Sequence, residues 1–384
     1  MTARLTSRSS APVRQSSVRA HNLALVLHTV ANSTDRLSRA GVAAVTGLTR
    51  ATVSALVDDL VAGGLLTELD PPPRTGAGRP AVGLALSAAG PAGLGCEINV
   101  DYLAACVVDL TGSVRQRFVE HADQRRSDAA GSLEALGRLA ARARLAAEAD
   151  GLIVAGAALA VPGLVAGDGL VRVAPNLGWQ DVNAPALLRA VPELADLPIS
   201  VDNEANLAAL GELLVAGGDP TFLSAGGRPT FLYVSGEVGI GAGLVLDGEL
   251  YRGVRGWSGE IGHVTVYPDG RPCRCGARGC LEQYAGQEAL TGDEPLAAAA
   301  LGIALAAVVN LLDVPVIVLG GAYAPLFAEL RAGIEEELTR RVLTSGLAPV
   351  ALRPAALGAD AAMRGAADTV IRAVRDDPAA WLRR

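Results

Sequence analysis

Residues 259–282, GEIGHVTVYPDGRPCRCGARGCLE, crowd one His, three Cys and two Glu into 24 positions, the tightest constraint on how this chain folds. His263, Cys273, Cys275 and Cys280 are separated by 10, 2 and 5 positions. Three thiolates and one imidazole make the tetrahedral set of three sulfurs and one nitrogen that zinc takes in structural sites, with no position left for a catalytic water. The spacing therefore predicts a closed, structural zinc site; the alternative is three unrelated thiols beside a core histidine. Gly270, Gly276 and Gly279 would let so tight a loop turn back on the metal through positive φ. Arg271, Arg274 and Arg278 would offset the charge that three thiolates leave on a divalent ion. A disulfide is not expected, because the opening MTARLTSRSS lacks the apolar stretch of an export signal. Cys96 and Cys106 fall in apolar, strand-like segments and read as buried bystanders.

GEIGH followed by CRCGARGCLE resembles the signature of the ROK family, named for repressors, open reading frames and sugar kinases, which reads GExGH and then CxCGxxGCxE. With its other segments the resemblance covers about residues 20–384. It implies an α/β body of two lobes, the actin-like, ribonuclease H-like fold of sugar kinases, with the ligand in the cleft between lobes. It also implies that Glu260, His263 and Glu282 bind sugar hydroxyls. His263 would then place one ring nitrogen on zinc and turn the other toward the ligand.

The chain has 384 residues, half of them apolar, enough for two or three domains with cores of their own. No apolar run reads as long and uninterrupted enough to span a bilayer, so no membrane partner and a cytoplasmic location are expected. Every basic residue is Arg, and the net charge is −7. Residues 1–88 hold nine Arg against five acidic residues, a net of +4, which leaves −11 on the remainder. A basic head on an acidic body points to a polyanion met by the head alone.

Residues 1–20 are rich in Ser and Arg and are expected to form a disordered tail. Residues 21–88 read as a winged helix-turn-helix. HNLALVLHTVAN places Leu23, Val26, Leu27 and Val30 on one helical face, with His28 packed or solvent-facing rather than a ligand. Ser38 is placed to cap a short helix to Thr46, Gly47 supplies the turn, and Thr49 is placed to cap a second helix to about Ala62. Val53, Leu56, Val57 and Leu60 face inward. Thr49, Arg50, Ala51, Thr52 and Ser54 cluster at the N-terminal end of the second helix, the part that reaches base edges, and Arg39 is a further DNA candidate. LLTELDPPPRTGAGRPAVGLAL reads as two strands around a wing whose Arg74 and Arg79 suit a narrow minor groove. A purely structural or peptide-binding helical domain is the competing reading; ROK repressors carry just such a winged head.

Residues 87–95, SAAGPAGLG, are expected as the hinge into a body spanning residues 89–384, with a lobe boundary near 205–230 and a C-terminal helix returning to the first lobe. The body opens as two strands joined at Thr111-Gly112, and a helix is expected from about Ser132 to Ala149. ROK kinases carry a DxGGT-like phosphate loop where this chain has Glu97, Ile98, Asn99, Val100 and Asp101, so carboxylates replace glycines and would repel a phosphate. A strand ending at Pro162-Gly163 brings Gly163 to the ligand edge of the sheet. VAPNLGW resembles the family's PNLxGW stretch, which implies that Asn176 lies near the sugar; the residues alone suit a loop cap equally well. VDNEAN places Asn203-Glu204 where family kinases carry Asn-Asp, the Asp being the catalytic base. The extra methylene of Glu moves the carboxylate by roughly 1 Å, enough to cost ~100-fold in rate while leaving hydrogen bonding to a sugar intact. Glu237 and Val238 interrupt the second glycine loop, residues 236–243, which also reads as a plain strand bend. The link from Tyr284 to the VVNLLDVPVIVLGGAY segment is shorter than the family implies, and Arg383-Arg384 are expected to fray.

The expected function is a sugar-responsive, DNA-binding transcriptional regulator, a repressor of carbohydrate-utilisation genes of the xylose-repressor or N-acetylglucosamine-repressor kind. No catalytic residue is expected. Partners would be operator DNA, a sugar or phosphosugar effector and a second or further copies of the chain, as homodimer or homotetramer. The alternative is an ATP-dependent sugar kinase with a DNA-binding head.

Overall fold

The computed structural model describes residues 15–33, 35–69, 82–216, 219–224, 226–290 and 293–384. It divides into two compact units, Met1–Pro91 together with Ile371–Arg384, and Ala92–Val370.

In the first unit, α1 (Gln15–Ala31) buries Leu23, Val26, Leu27 and Val30 along one stripe. Residues 15–20, expected in the tail, are the opening turns of this helix, held by an ion pair from Arg19 to Asp59; residues 1–14 of that tail lie outside the described residues. Next, α2 (Arg39–Thr46) starts at Ser38, whose side chain accepts from the Gly41 N–H, and stops at Gly47 in the left-handed region (φ 73°). Three residues later α3 (Arg50–Ala62) begins at Thr49, which accepts from the Thr52 N–H. Its Val53, Leu56, Val57 and Leu60 are buried, the i, i+3, i+4, i+7 stripe of a helix packed on one face. The strands β1 (Leu66–Leu69) and β2 (Gly83–Leu86) pair antiparallel, as a wing requires. The wing tip, with Arg74 and Arg79, lies outside the described residues.

The second unit contains two five-stranded sheets. The first takes β3 (Pro91–Ile98), β4 (Tyr102–Asp109), β5 (Val114–His121), then across α4 (Ala129–Ala149) β6 (Ile153–Val161). A small antiparallel sheet of β7 (Leu164–Val165), β8 (Val171–Ala174) and β9 (Trp179–Val182) follows, then α5 (Ala184–Arg189) and β10 (Ile199–Asn203), giving the order β10-β6-β3-β4-β5. The body thus opens with three strands, not two. The additional hairpin turns at residues 99–101, where no Gly or Pro marks it in the sequence. β10 pairs parallel to β6, so Asn203 and Val161 end side by side at one sheet edge.

The second sheet follows α6 (Glu204–Ala216) and uses β11 (Phe231–Gly236), β12 (Ile240–Leu246) and β13 (Glu249–Tyr251). The loop of residues 252–281 leads to α7 (Glu282–Ala285), α8 (Gln287–Leu290), α9 (Glu294–Leu312), β14 (Val316–Gly321), α10 (Phe327–Arg341) and β15 (Ala351–Pro354), in the order β13-β12-β11-β14-β15. By length and composition α9 is apolar enough to cross a membrane, contrary to the sequence expectation. Ala297, Leu301, Leu305 and Val309 of this helix are buried in the core on the second sheet, which also holds Leu330 and Ile334 of α10.

The chain closes with α11 (Ala361–Asp376) and α12 (Pro378–Trp381). Met363 and Ala367 of α11 pack with Ala104, Cys106 and Val108 of β4. A Cβ at Gly95 would stand 1.9 Å from the Met363 carbonyl, so the glycine admits the helix backbone. Residues 91–95, expected as part of a hinge, are accordingly buried strand. From Ile371 onward the chain belongs to the first unit. There the Trp381 indole N–H donates to the Gly63 carbonyl at 2.9 Å, His28 pairs with Asp376 at 3.0 Å, and Arg384 stacks on the Trp381 ring. The helix before Arg383-Arg384 is thus tied to the head.

Candidate functional site

The loop after β13 gathers His263, Cys273, Cys275 and Cys280 so that their ligating atoms all lie within 4.8 Å of one another. Cys275 Sγ and Cys280 Sγ are 3.7 Å apart, and Cys273 Sγ is 3.9 Å from His263 Nδ1. A tetrahedral ion with metal–sulfur bonds of ~2.3 Å demands sulfur–sulfur edges of roughly 3.8 Å. The donor set therefore fits a tetrahedral metal. Gln283 donates its side-chain N–H to Cys273 Sγ at 3.6 Å. Gly276 and Gly279 take φ of 94° and 72°. Gly270 has no such φ; it is small because a Cβ there would meet the Tyr284 hydroxyl at 2.0 Å. Arg271 stacks on the Tyr284 ring and donates to the Gln283 carbonyl, instead of facing the thiols. Cys96 and Cys106 are buried in β3 and β4, where burial pushes the Cys96 thiol up to about 12.

The same loop presents Glu260 and Glu282. Desolvation raises the Glu260 carboxyl, His263 opposes that rise and Glu282 adds to it, so the three side chains form one electrostatic cluster. His263 turns Nδ1 to the thiols, which leaves Nε2 as its other ring nitrogen. A Cβ at Gly239 would stand 2.8 Å from Glu282 Oε2 and 3.5 Å from Asn176 Nδ2, which sets Asn176, on the turn between β8 and β9, opposite Glu282. Asn203 is committed at both ends of its amide: Oδ1 accepts from the Ala205 and Asn206 N–H groups at the start of α6, and Nδ2 donates to the Gly163 carbonyl at 3.0 Å. Asn203 thereby fixes Gly163 at the sheet edge. The structure thus groups Asn176, Glu260, His263 and Glu282, and separately ties Gly163 to Asn203.

Glu204 turns into the body. Its Oε1 accepts from the buried Ser235 hydroxyl at 3.0 Å, and burial, opposed by that bond, raises it to about 7. Glu97 is buried on β3, where Tyr102 donates to its Oε1 at 2.5 Å; burial and the Glu204 and Glu237 charges push it up to about 8. Glu237, in the β11–β12 turn, is raised to about 8 by burial and by Glu204, against a bond from Asn99. A Cβ at Gly321 would lie 2.7 Å from Glu237 Oε1 and 2.9 Å from Ser235 Oγ. Three carboxyls that repel one another thus gather around the two loops at residues 97–101 and 236–239. Asp101 is at the surface in an ion pair with Arg125.

On the head, Thr49, Arg50 and Ala51 are exposed at the start of α3, with Thr52 and Ser54 partly buried behind them. Thr49 and Thr52 also bond each other, hydroxyl to hydroxyl, at 2.8 Å. Arg39 lies inside the fold's own network. It pairs with Asp58 at 2.7 Å and Glu68 at 3.0 Å and donates to the Ser54 carbonyl, bracing α2 against α3 and the wing.

A model of the ROK family matches residues 93–294, more than half of the chain. The chain belongs to the ROK family. A MarR family model matches residues 24–74, so this ROK chain carries a MarR-type winged helix in front of its body. It is similar to the xylose repressor of Bacillus subtilis (strain 168), 32% identical over 254 residues that make up 66% of this chain and 63% of that one. The match thus spans less than two thirds of the relative. A crystal structure of a ROK family transcriptional regulator, a homolog of the E. coli MLC protein, superposes with a TM-score of 0.78 at 23% identity, covering 96% of this chain and 100% of that one. The ROK hexokinase from Thermus thermophilus superposes at 0.60 with 32% identity, over 74% of this chain and 99% of the hexokinase.

Reading this ROK sequence alone misses Tyr102, Ser235 and Asn99, the partners that make the three carboxyls one network. Tyr102 lies five residues after Glu97 across the hairpin at residues 99–101, which carries no turn signature. It also misses Trp381 and its docking on the head, because a four-residue helix leaves no periodic signal.

Proposed function

We propose that this ROK chain is a sugar-responsive repressor: its winged head binds operator DNA, and an aldose in the body weakens that binding. The observation that carries this reading is the pairing, in one chain, of a MarR-type winged helix with a ROK body whose phosphate-loop positions hold the buried Glu97 and the half-buried Glu237. In the head, α3 would enter the major groove with Arg50 and Ala51 foremost, Thr49, Thr52 and Ser54 behind them, and Arg74 and Arg79 of the wing would meet the minor groove. In the body, Glu260, His263, Glu282 and Asn176 would hydrogen-bond sugar hydroxyls, with Gly163 and Asn203 shaping the facing wall; Glu204, expected at the sugar, is spent on Ser235 instead. As domain limits we propose a head over residues 15–88, joined by the terminal segment from Ile371, and a sugar-binding body over 89–370, in place of the expected limits 1–20, 21–88 and 89–384. The metal is zinc, and its part is structural: it ties His263 to three cysteines and so holds the Glu260 loop in place. A homodimer is the expected reader of a two-fold operator, working in the cytoplasm.

Sugar phosphorylation is not part of this reading. Glu97 and Glu237 stand in the two loops where kinases carry phosphate-binding glycines, and Glu204, in place of the base, is bonded to Ser235. Xylose is the first effector to try, since the Bacillus subtilis relative is a xylose repressor. A panel of pentoses, hexoses and their phosphates, followed by thermal unfolding, should show one ligand raising the midpoint. A panel without effect contradicts the sugar reading. The second reading, a sugar kinase with a DNA-binding head, is favoured by the 32% identity to the Thermus thermophilus hexokinase. A coupled assay with ATP separates the two: turnover near ~1 per second would establish the kinase.

A further inference from the structure

The segment between β13 and Glu260, residues 252–258, touches the first sheet's side of the body at two points. Arg252 Nε and Nη2 both reach Asp202 Oδ2, at 3.0 and 2.8 Å. Asp202 is the penultimate residue of β10, its side chain 19% exposed, and its Oδ1 accepts from the Asn203 N–H and from the Asn206 side chain. It is therefore held by the residues that also fix Asn203 and Gly163. The second point is Gly256, where a Cβ would lie 3.5 Å from the Val165 carbonyl on β7. The neck of the loop is closed on itself: Ser258 donates its hydroxyl to the Tyr251 carbonyl at 2.6 Å and its N–H to the Arg252 carbonyl at 3.2 Å. Two residues past that neck the chain reaches Glu260.

We propose that the Arg252–Asp202 ion pair and its loop form a strap across the body, which holds the Glu260 loop at binding distance from the Gly163–Asn203 wall. The inference rests on the sugar-binding reading above and adds Arg252 as a positioning residue. A hydrogen-bonded ligand needs both walls at once, so a contact that spans them in the free protein lowers the cost of bringing them together. An ion pair with one member about half exposed is worth little as stability and is weakened by salt. Its effect on binding should therefore be modest and ionic-strength dependent.

The test uses the full chain, with Arg252→Ala and the conservative Arg252→Lys beside wild type. Amide hydrogen exchange is measured without ligand, and affinity for the aldose that stabilises wild type is measured at low and high salt. Arg252→Ala should speed exchange across residues 252–258 and 163–166 and weaken aldose binding about 2- to 5-fold, while operator affinity without sugar is unchanged. An uncharged sugar has no salt dependence of its own. Wild type should nonetheless lose affinity as salt rises, Arg252→Lys should keep that response, and Arg252→Ala should lose it. Wild-type exchange in Arg252→Ala overturns the strap. So does wild-type affinity together with an unaltered salt response. If wild type binds no aldose, the sugar reading fails, and the ligand-free exchange measurement still decides the strap.

Discussion

Removing one buried ionisable group should change how stability follows pH. Glu97 sits at 2% exposure on β3, and burial with two neighbouring carboxyls lifts it from 4.5 to about 8. Between those values the folded chain holds a proton that the unfolded chain has released. Stability contributed by this proton is fully present below pH ~4.5 and is lost as pH rises toward about 8. A shift of that size, at ~1.4 kcal/mol per unit, sets a ceiling of about 5 kcal/mol. Relaxation and water entry reduce it, and about 2–4 kcal/mol is expected at an effective interior dielectric near 20. Glu97→Gln keeps the shape and the oxygen that accepts from Tyr102, and mimics the protonated acid. It should match wild type near pH 5 and exceed it by about 2–4 kcal/mol at pH 8, roughly 3–7 °C in midpoint for a unit of this size. Urea unfolding of both chains from pH 5 to 8, followed by circular dichroism, measures the difference, and any contribution of the Cys–His cluster, common to both, cancels. Parallel stability curves, within ~0.5 kcal/mol across that range, would refute the buried-carboxyl account.

Further consequences are separable. Cys275→Ser should lower bound zinc from about one per chain to near none by elemental analysis and weaken effector binding, since the Glu260 loop loses its anchor. Arg50→Ala should relax sequence preference at one base pair at a cost of ~1–3 kcal/mol in quantitative footprinting, whereas Arg79→Ala should reduce only preference for A·T flanks. Glu260→Gln should bind operator like wild type yet stay bound when sugar is added, as read by gel shift. Trp381→Ala removes the indole bond to Gly63 and the stack with Arg384, and should lower the melting temperature of the head and operator affinity together.

What the sequence shows best is what local chemistry dictates. Ser38, Gly47 and Thr49 mark both helices of the head because capping and left-handed turns need those side chains. The cluster of His263, Cys273, Cys275 and Cys280 is legible for the same reason, since three Cys and one His at such short spacing leave few other uses. Long-range pairing is not legible. Nothing in DNEAN says that Glu204 turns inward to Ser235, 31 positions away, or that Asn203 spends its whole amide on α6 and Gly163. Nor does the basic tally of the head reveal that Arg39 is consumed by Asp58 and Glu68. The supposed hinge at residues 87–95 reads as flexible because Gly, Ala and Pro dominate it, yet Gly93 and Gly95 are there to let α11 lie against a buried strand.

The central claim is that sugar in the body releases the head from DNA. It is tested most directly by titrating the full chain onto a labelled palindromic fragment from upstream of its own gene, with and without the stabilising aldose, by fluorescence anisotropy. A coupling of ~1–3 kcal/mol predicts that sugar lowers operator affinity about 5- to 150-fold, and that operator lowers sugar affinity by the same factor. Equal affinity with and without sugar, or tighter binding in its presence, would contradict the account.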